Sequence, residues 1–208
     1  MMTTHAKPPK IALASKPSLI KLAQDIDFFE LFKRIEAKYA TCFLLESLGE
    51  ESYISRHHAI GFDPAMTVLA KDRHTLTIIN NRTGESTDYT CDNPYQLLRE
   101  ITPQHVISRS HTGGLVGFLG FDSVNFFEPT LNIQTSDDFE PFKFGVYLDG
   151  LSLDKMTGEI FYYYYDTDHQ SNRIDEIKSL LTVISPDYIQ PTACLLYTSD
   201  AADEEDSV

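Results

Sequence analysis

The segment FKFGVYLDGLSLDKMTGEIFYYYYDT (142–167) constrains the fold more than any other part of the chain. It reads as two strands around the turn Asp154-Lys155-Met156-Thr157-Gly158, whose glycine supplies the positive φ that such turns need. Tyr162 to Tyr165 fall on the return strand, so rings project from both of its faces and both faces need packing partners. A second hairpin is expected over HTLTIINNRTGESTDYT (74–90), with Leu76 and Ile78 on one face and a turn from Asn81 to Gly84. TCFLLES (41–47) has the length and apolarity of a buried strand. SRHHAIGFDPAMTVLAK (55–71) suggests a further strand broken at Gly61 and Pro64, and Gly113 to Phe121 a glycine-spaced one, left by a turn or helix from Phe121 to Glu128.

Helices are expected between these strands. DFFELFKRIEAKY (27–39) places Phe28, Phe29, Leu31, Phe32, Ile35 and Tyr39 at helical spacings behind an Asp27 N-cap. NPYQLLREIT (93–102) starts on Asn93 with Pro94 at the first helical position, and Ile174 to Ile184 repeats apolar residues every three or four. Helices scattered among hairpins, without regular strand–helix alternation, define an α+β fold with largely antiparallel sheets and flanking helices. Residues 1–18 carry lysines and prolines without periodicity and read as a loose leader; a domain is expected over 19–190.

Composition excludes several classes of function. Seventeen basic against thirty-one acidic residues, a formal charge of -14, repel a phosphate backbone, so no nucleic-acid partner is expected. The longest apolar stretches, such as Leu115 to Phe121, fall far short of the roughly 20 residues of a membrane helix. The first residues lack the apolar core of a secretory signal, which makes a cytoplasmic protein with no membrane association the expectation. The three cysteines, Cys42, Cys91 and Cys194, form no C-x-x-C pair, and the histidines show no metal-ligand spacing.

From Cys194 the chain reads CLLYTSDAADEEDSV, acidic throughout and unlike what precedes it. CLLYTSDAADE resembles one reading frame through a transposase adapter used for sequencing libraries, so residues 194–208 are expected to be non-native and a carboxyl-terminal domain to be missing. Without the five carboxylates of this tail, 26 acidic residues still outnumber 17 basic ones.

Three blocks carry a resemblance. Leu44-Leu45-Glu46-Ser47, followed by Ser55-Arg56 and Ile60-Gly61, is similar to the LLES...SRYS.IG signature of anthranilate synthase component I. Gly113-Gly114-Leu115-Val116-Gly117-Phe118-Leu119-Gly120-Phe121-Asp122-Ser123-Val124, closing on Phe127-Glu128, resembles that family's GG-x-[VI]-GY-x-x-YD-x-V-R-x-x-E segment. The 27–39 helix and the later hairpin fall in matching order, so the resemblance spans about residues 25 to 165. Asn125 stands where the family usually has Arg, His57 and His58 where Tyr and Ser are common, and Phe118 and Phe121 replace tyrosines.

The resemblance implies one part of the two-sheet sandwich of chorismate-utilising enzymes, here the amino-terminal regulatory domain. The parent enzyme would convert chorismate and ammonia to anthranilate and pyruvate, using Mg2+ in the missing catalytic domain and ammonia from a glutamine amidotransferase subunit. No catalytic or metal-binding residue is expected in this chain. The LLES strand is expected to line the feedback pocket for L-tryptophan, with Ser47 as the residue that carries over and Leu45, Glu46 and Arg56 as further lining or supporting groups. The plainer reading makes Ser47 a turn cap and Glu46–Arg56 an internal ion pair. Gly113, Gly114 and Gly117 are expected to permit close packing, and Asp122 to cap the helix after them. His57 and His58 project to opposite faces of a strand, unsuited to joint metal binding. Alternatives are aminodeoxychorismate synthase component I and a free-standing amino-acid-binding module.

Overall fold

A computed structural model describes residues 2–4, 7–22, 26–47, 55–106, 111–134, 138–167 and 172–182. The adapter-like tail and the last residues of the helix expected to reach Ile184 lie outside them. Two sheets organise the chain. The first has six strands in the order β1 (Met2–Thr4), β7 (Ser86–Thr90), β6 (Thr75–Asn80), β5 (Met66–Asp72), β9 (Phe142–Tyr147) and β8 (Gly114–Leu119). The second has five, in the order β2 (Ser18–Lys21), β11 (Glu159–Tyr164), β10 (Asp149–Asp154), β4 (His57–Phe62) and β3 (Cys42–Leu45). Neighbours pair antiparallel except β1 with β7, which is parallel. This is the expected α+β class.

Each sheet has its own helical cover and core. On the five-stranded sheet, Leu31 and Ile35 of α1 (Phe28–Lys38) and Ile177 of α3 (Ile174–Thr182) pack on Ile60, Phe62, Leu151 and Tyr162. On the other, Leu98 and Ile101 of α2 (Pro94–Ile101) pack on Val68, Ala70, Leu76 and Phe142. Burial of each such aliphatic side chain contributes on the order of 1.5–3 kcal/mol. The expected caps form: Asp27 Oδ1 accepts from the Glu30 amide at 2.9 Å, and Asn93 Oδ1 from those of Tyr95 at 3.0 Å and Gln96 at 3.2 Å. Arg34 Nη1 donates to the carbonyls of Leu180 at 3.0 Å and Leu181 at 2.9 Å, satisfying acceptors that the last turn of α3 leaves open.

Three expectations are corrected. The leader is not loose throughout, because Met2–Thr4 pairs with β7 and the Ile11 amide donates to the Ile101 carbonyl at 3.0 Å. The strand expected across 55–71 does not break at Gly61, which lies inside β4; the break falls at Asp63–Ala65, where the chain crosses from one sheet to the other. The first arm of the 142–167 hairpin is two strands, β9 and β10, divided at Leu148 and belonging to different sheets. At the first crossing the Ala65 amide bonds the Val146 carbonyl at 2.9 Å, and at the second the Tyr165 amide bonds that of Leu148 at 2.8 Å. Among the described residues no helix is long and apolar enough to cross a membrane.

Candidate functional site

The LLES segment begins on β3, the edge strand of the five-stranded sheet. Successive side chains alternate in direction. Leu44 joins the core beneath α1, whereas the Phe43 ring turns the other way, edge-on to Tyr147 at 4.8 Å and His111 at 5.7 Å. Opposite Phe43 sits Gly61, where a Cβ would fall 2.1 Å from the Phe43 ring, so only glycine leaves room for it. Leu45 is 45% exposed, and the strand ends there.

At that end several polar groups converge. Glu46 Oε1 lies 3.5 Å from His58 Nδ1, and Lys155 Nζ donates to the Ser47 carbonyl at 3.2 Å. Arg56 grips Asp154 in two-pronged fashion, Nε to Oδ1 at 2.9 Å and Nη2 to Oδ2 at 2.5 Å. Those bonds hold the Asp154 carboxyl below its usual range. The Glu46–Arg56 pair considered from the sequence is therefore replaced by Arg56–Asp154 and Glu46–His58. Asp154 also shapes the β10–β11 turn, its carbonyl accepting from the Gly158 amide at 2.8 Å and its Oδ1 from that of Met156 at 3.0 Å. Antiparallel register places Asp154 opposite His57 and Leu153 opposite His58, which brings this turn beside the LLES end. Sequence reasoning singled out Leu45, Glu46, Ser47 and Arg56 but missed His58, Asp154 and Lys155; the turn signal at 154–158 was there, but nothing local tied it to residues about a hundred positions earlier. Residues 48–54 lie outside the described ones.

The glycine block, expected to serve close packing, lies on the edge of the six-stranded sheet. Gly113 has φ +82°, and a Cβ there would meet the Tyr147 carbonyl oxygen at 2.4 Å. Gly117 faces β9 so closely that a Cβ would fall 2.0 Å from the Lys143 carbonyl oxygen. Gly114, by contrast, has open space where a side chain would begin. Asp122 does not cap a helix: it is buried inside a 3-10 turn (Phe121–Phe126) that starts at Gly120 without a side-chain cap. Asn125, where the family usually has Arg, both donates to and accepts from the Ile133 backbone, at 2.9 and 2.8 Å, and so closes the loop after this turn.

Beside the glycine block lies a cavity of about 360 Å³, lined by Ile11, Leu13, Val106, His111, Gly114 and Leu148 among others and by none of the LLES-end residues. His111 Nε2 is shielded there without a hydrogen-bond partner among the described residues, and burial holds the imidazole pKa below its ordinary value. A folded-state pKa lowered beneath that of the unfolded chain means that the unfolded state takes up the proton first as pH falls. Stability is thus expected to drop as pH falls through about 6.5, the unfolded histidine value. Urea unfolding midpoints from pH 7.5 to 5 check this, and His111→Gln should flatten that part of the profile; an unchanged profile would remove His111 as its source.

Large antiparallel sheets, each with a helical cover, make this an α+β protein whose candidate site sits at a strand end. No family model matches the chain. Anthranilate synthase component 1 of Leptospira biflexa is 44% identical over 175 residues, covering 83% of this chain and 36% of that protein. The protein of the same name from Methanothermobacter thermautotrophicus is 34% identical over 158 residues, covering 76% of this chain and 32% of its own length. Among solved structures, anthranilate synthase component I from Streptococcus pneumoniae TIGR4 is similar with a TM-score of 0.47 and 19% identity, over 80% of this chain and 37% of that one. The chain belongs to the anthranilate synthase component I family, and spans about a third of the length of the curated relatives it matches.

Proposed function

We propose that this chain is the amino-terminal regulatory part of an anthranilate synthase component I and binds L-tryptophan at the end of the LLES strand. The observation that supports this most is the convergence of Ser47, Glu46 and Lys155 beside the exposed Leu45. A zwitterionic amino acid with an indole ring needs an apolar surface together with separate partners for its ammonium and carboxylate. Glu46 is suited to the ammonium, Lys155 to the carboxylate, and the Ser47 hydroxyl to either. Arg56, engaged by Asp154, braces the site rather than meeting the ligand. Tryptophan would inhibit by binding one conformation of the parent enzyme better than another.

The parent protein would form anthranilate and pyruvate from chorismate, with ammonia drawn from a glutamine amidotransferase partner and Mg2+ as cofactor. Among the described residues no group of three or more His, Cys, Asp or Glu side chains is placed to hold a metal ion, and no step of the reaction is assigned to them. A cytoplasmic location accords with such a biosynthetic role. The relatives named above favour this reading over aminodeoxychorismate synthase and over a free-standing module.

Isothermal titration of L-tryptophan, with L-phenylalanine for comparison, tests the site. Ser47→Ala should weaken binding by about tenfold or more, the consequence of losing a hydrogen bond to a charged group worth roughly 1.5–3 kcal/mol. Equal affinities for the parent and Ser47→Ala chains would remove Ser47 from the site. A folded, monomeric sample that takes up no tryptophan would overturn the proposal for this chain.

A further inference from the structure

The cavity beside the glycine block has apolar walls, formed by Ile11, Leu13, Val106, Leu115, Val146 and Leu148, and three polar side chains, His111, Thr112 and Tyr165. Among the described residues no Lys, Arg, Asp or Glu lines it. Thr112 and Tyr165 are buried, at 5% and 2% exposure, yet their hydroxyls stand 3.5 Å apart, the outer limit of a hydrogen bond, so both keep capacity for a further partner. His111 Nε2 is shielded and has no partner among the described residues, a costly state for a buried polar atom. The rings of Phe43, at 5.7 Å, and Tyr163, at 6.5 Å, meet the imidazole edge-on and fix its orientation. The amino-terminal wall is tied down as well: the Ile11 amide donates to the Ile101 carbonyl at 3.0 Å, and His105 Nε2 to that of Leu13 at 2.9 Å.

We propose that this cavity binds an uncharged aromatic hydroxyl compound, a phenol or naphthol, with its rings among the aliphatic walls and its hydroxyl on His111 Nε2. Apolar walls with a few convergent polar groups are the usual make-up of a small-molecule site. A dry cavity of about 150 Å³ accepts one benzene ring, so the 360 Å³ here has room for two fused rings. Charge narrows the class further. Burial keeps the imidazole uncharged at neutral pH, so an anion finds no cation in the cavity, and a cation finds no carboxylate. The net charge of -14 disfavours an anion again on its approach. A hydroxyl both donates and accepts, and so serves His111 whichever tautomer it adopts. None of the LLES-end residues lines this cavity, and its occupancy is independent of the tryptophan reading.

The 208-residue chain contains no tryptophan, so the fluorescence of added 2-naphthol is read without indole background. Titration should show saturable one-to-one binding with a dissociation constant on the order of 0.1 mM. Naphthalene, which has the same rings and no hydroxyl, should bind about tenfold more weakly, and the anion 2-naphthoate should do no better. His111→Phe should reduce 2-naphthol to the affinity of naphthalene. Leu13→Trp, which fills the cavity from a half-buried position on its wall, should weaken 2-naphthol about tenfold or more. Circular dichroism verifies that each variant is folded, and the comparison of the three compounds on the unaltered chain needs no variant. No saturation below about 1 mM, equal affinities for 2-naphthol and naphthalene, or a folded variant that binds like the unaltered chain would overturn the proposal. Saturating L-tryptophan should leave 2-naphthol binding unchanged; displacement would place both compounds in one site and overturn it too. Absence of 2-naphthol binding with Ser47-dependent tryptophan binding intact would refute the cavity site alone, whereas 2-naphthol binding without tryptophan uptake would refute only the sensor.

Discussion

Replacing Arg173 by methionine is expected to lower the unfolding free energy by about 3–5 kcal/mol, the range for removing one partner of a buried ion pair. Asp149 is 1% exposed, and Arg173 meets it with Nε at 2.9 Å and Nη2 at 2.7 Å. The third guanidinium nitrogen donates to Asp63 at 2.7 Å, and the central carbon of the group lies 4.8 Å from the Phe62 ring centroid. Tyr162 donates its hydroxyl to Asp149 at 2.8 Å, and burial, then the charge of Asp149, pushes its pKa up, so it remains a donor at all ordinary pH values. The position of these groups explains their weight. Asp63 stands at the first crossing between the sheets and Asp149 just after the second, so one guanidinium ties both crossings to the start of α3.

Urea unfolding of Arg173→Met measures the cost, and combining it with Asp149→Asn should recover part of it, because the stranded charge is then gone. The exposed Lys21–Glu159 pair, at 2.6 Å, provides the contrast. Its removal should leave stability nearly unchanged, since water screens both partners. A loss of less than about 1 kcal/mol for Arg173→Met would mean that solvent reaches Asp149 readily and that the crossings are held by packing alone.

Gly117→Ala should cost about 2–3 kcal/mol, near the upper end of ordinary overpacking. The clash is with main-chain atoms, the Lys143 carbonyl oxygen at 2.0 Å and Phe144 Cα at 2.7 Å, so no rotamer change relieves it. β8 must move away from β9, and hydrogen exchange should accelerate along Gly114–Leu119 sooner than elsewhere. Gly84→Ala separates this from a backbone-conformation effect: Gly84 has φ +73° but open space around it, so only the left-handed penalty of roughly 1–2 kcal/mol applies. Equal costs at the two positions would argue that β8 yields to an added methyl group and that the close approach carries no weight.

Elements that depend on neighbouring residues alone are legible in the amino-acid sequence. Asp27 and Asn93 cap helices because their side chains reach amides two or three residues on, and Gly158 completes its turn with φ +67°. The Leu44-to-Ser47 and Gly113-to-Phe121 blocks likewise mark the family, which the relatives establish. Less of the site is legible. The pattern of charges puts Arg56 near Glu46, yet its partner is Asp154, 98 residues away, delivered by the register of β4 against β10.

What the sequence alone determined, then, is the identity and limits of most helices and turns, the antiparallel character of the sheets, and the residues that carry the family resemblance, because each depends on contacts within a few positions. What only the tertiary structure decided is which sheet each strand joins, where the chain crosses at Asp63–Ala65 and Leu148, and which side chains meet Ser47 and Arg56. A strand's two-residue alternation is the same whatever strand lies beside it. Its partner is selected by burial and hydrogen bonding summed over the whole chain, which no local pattern records.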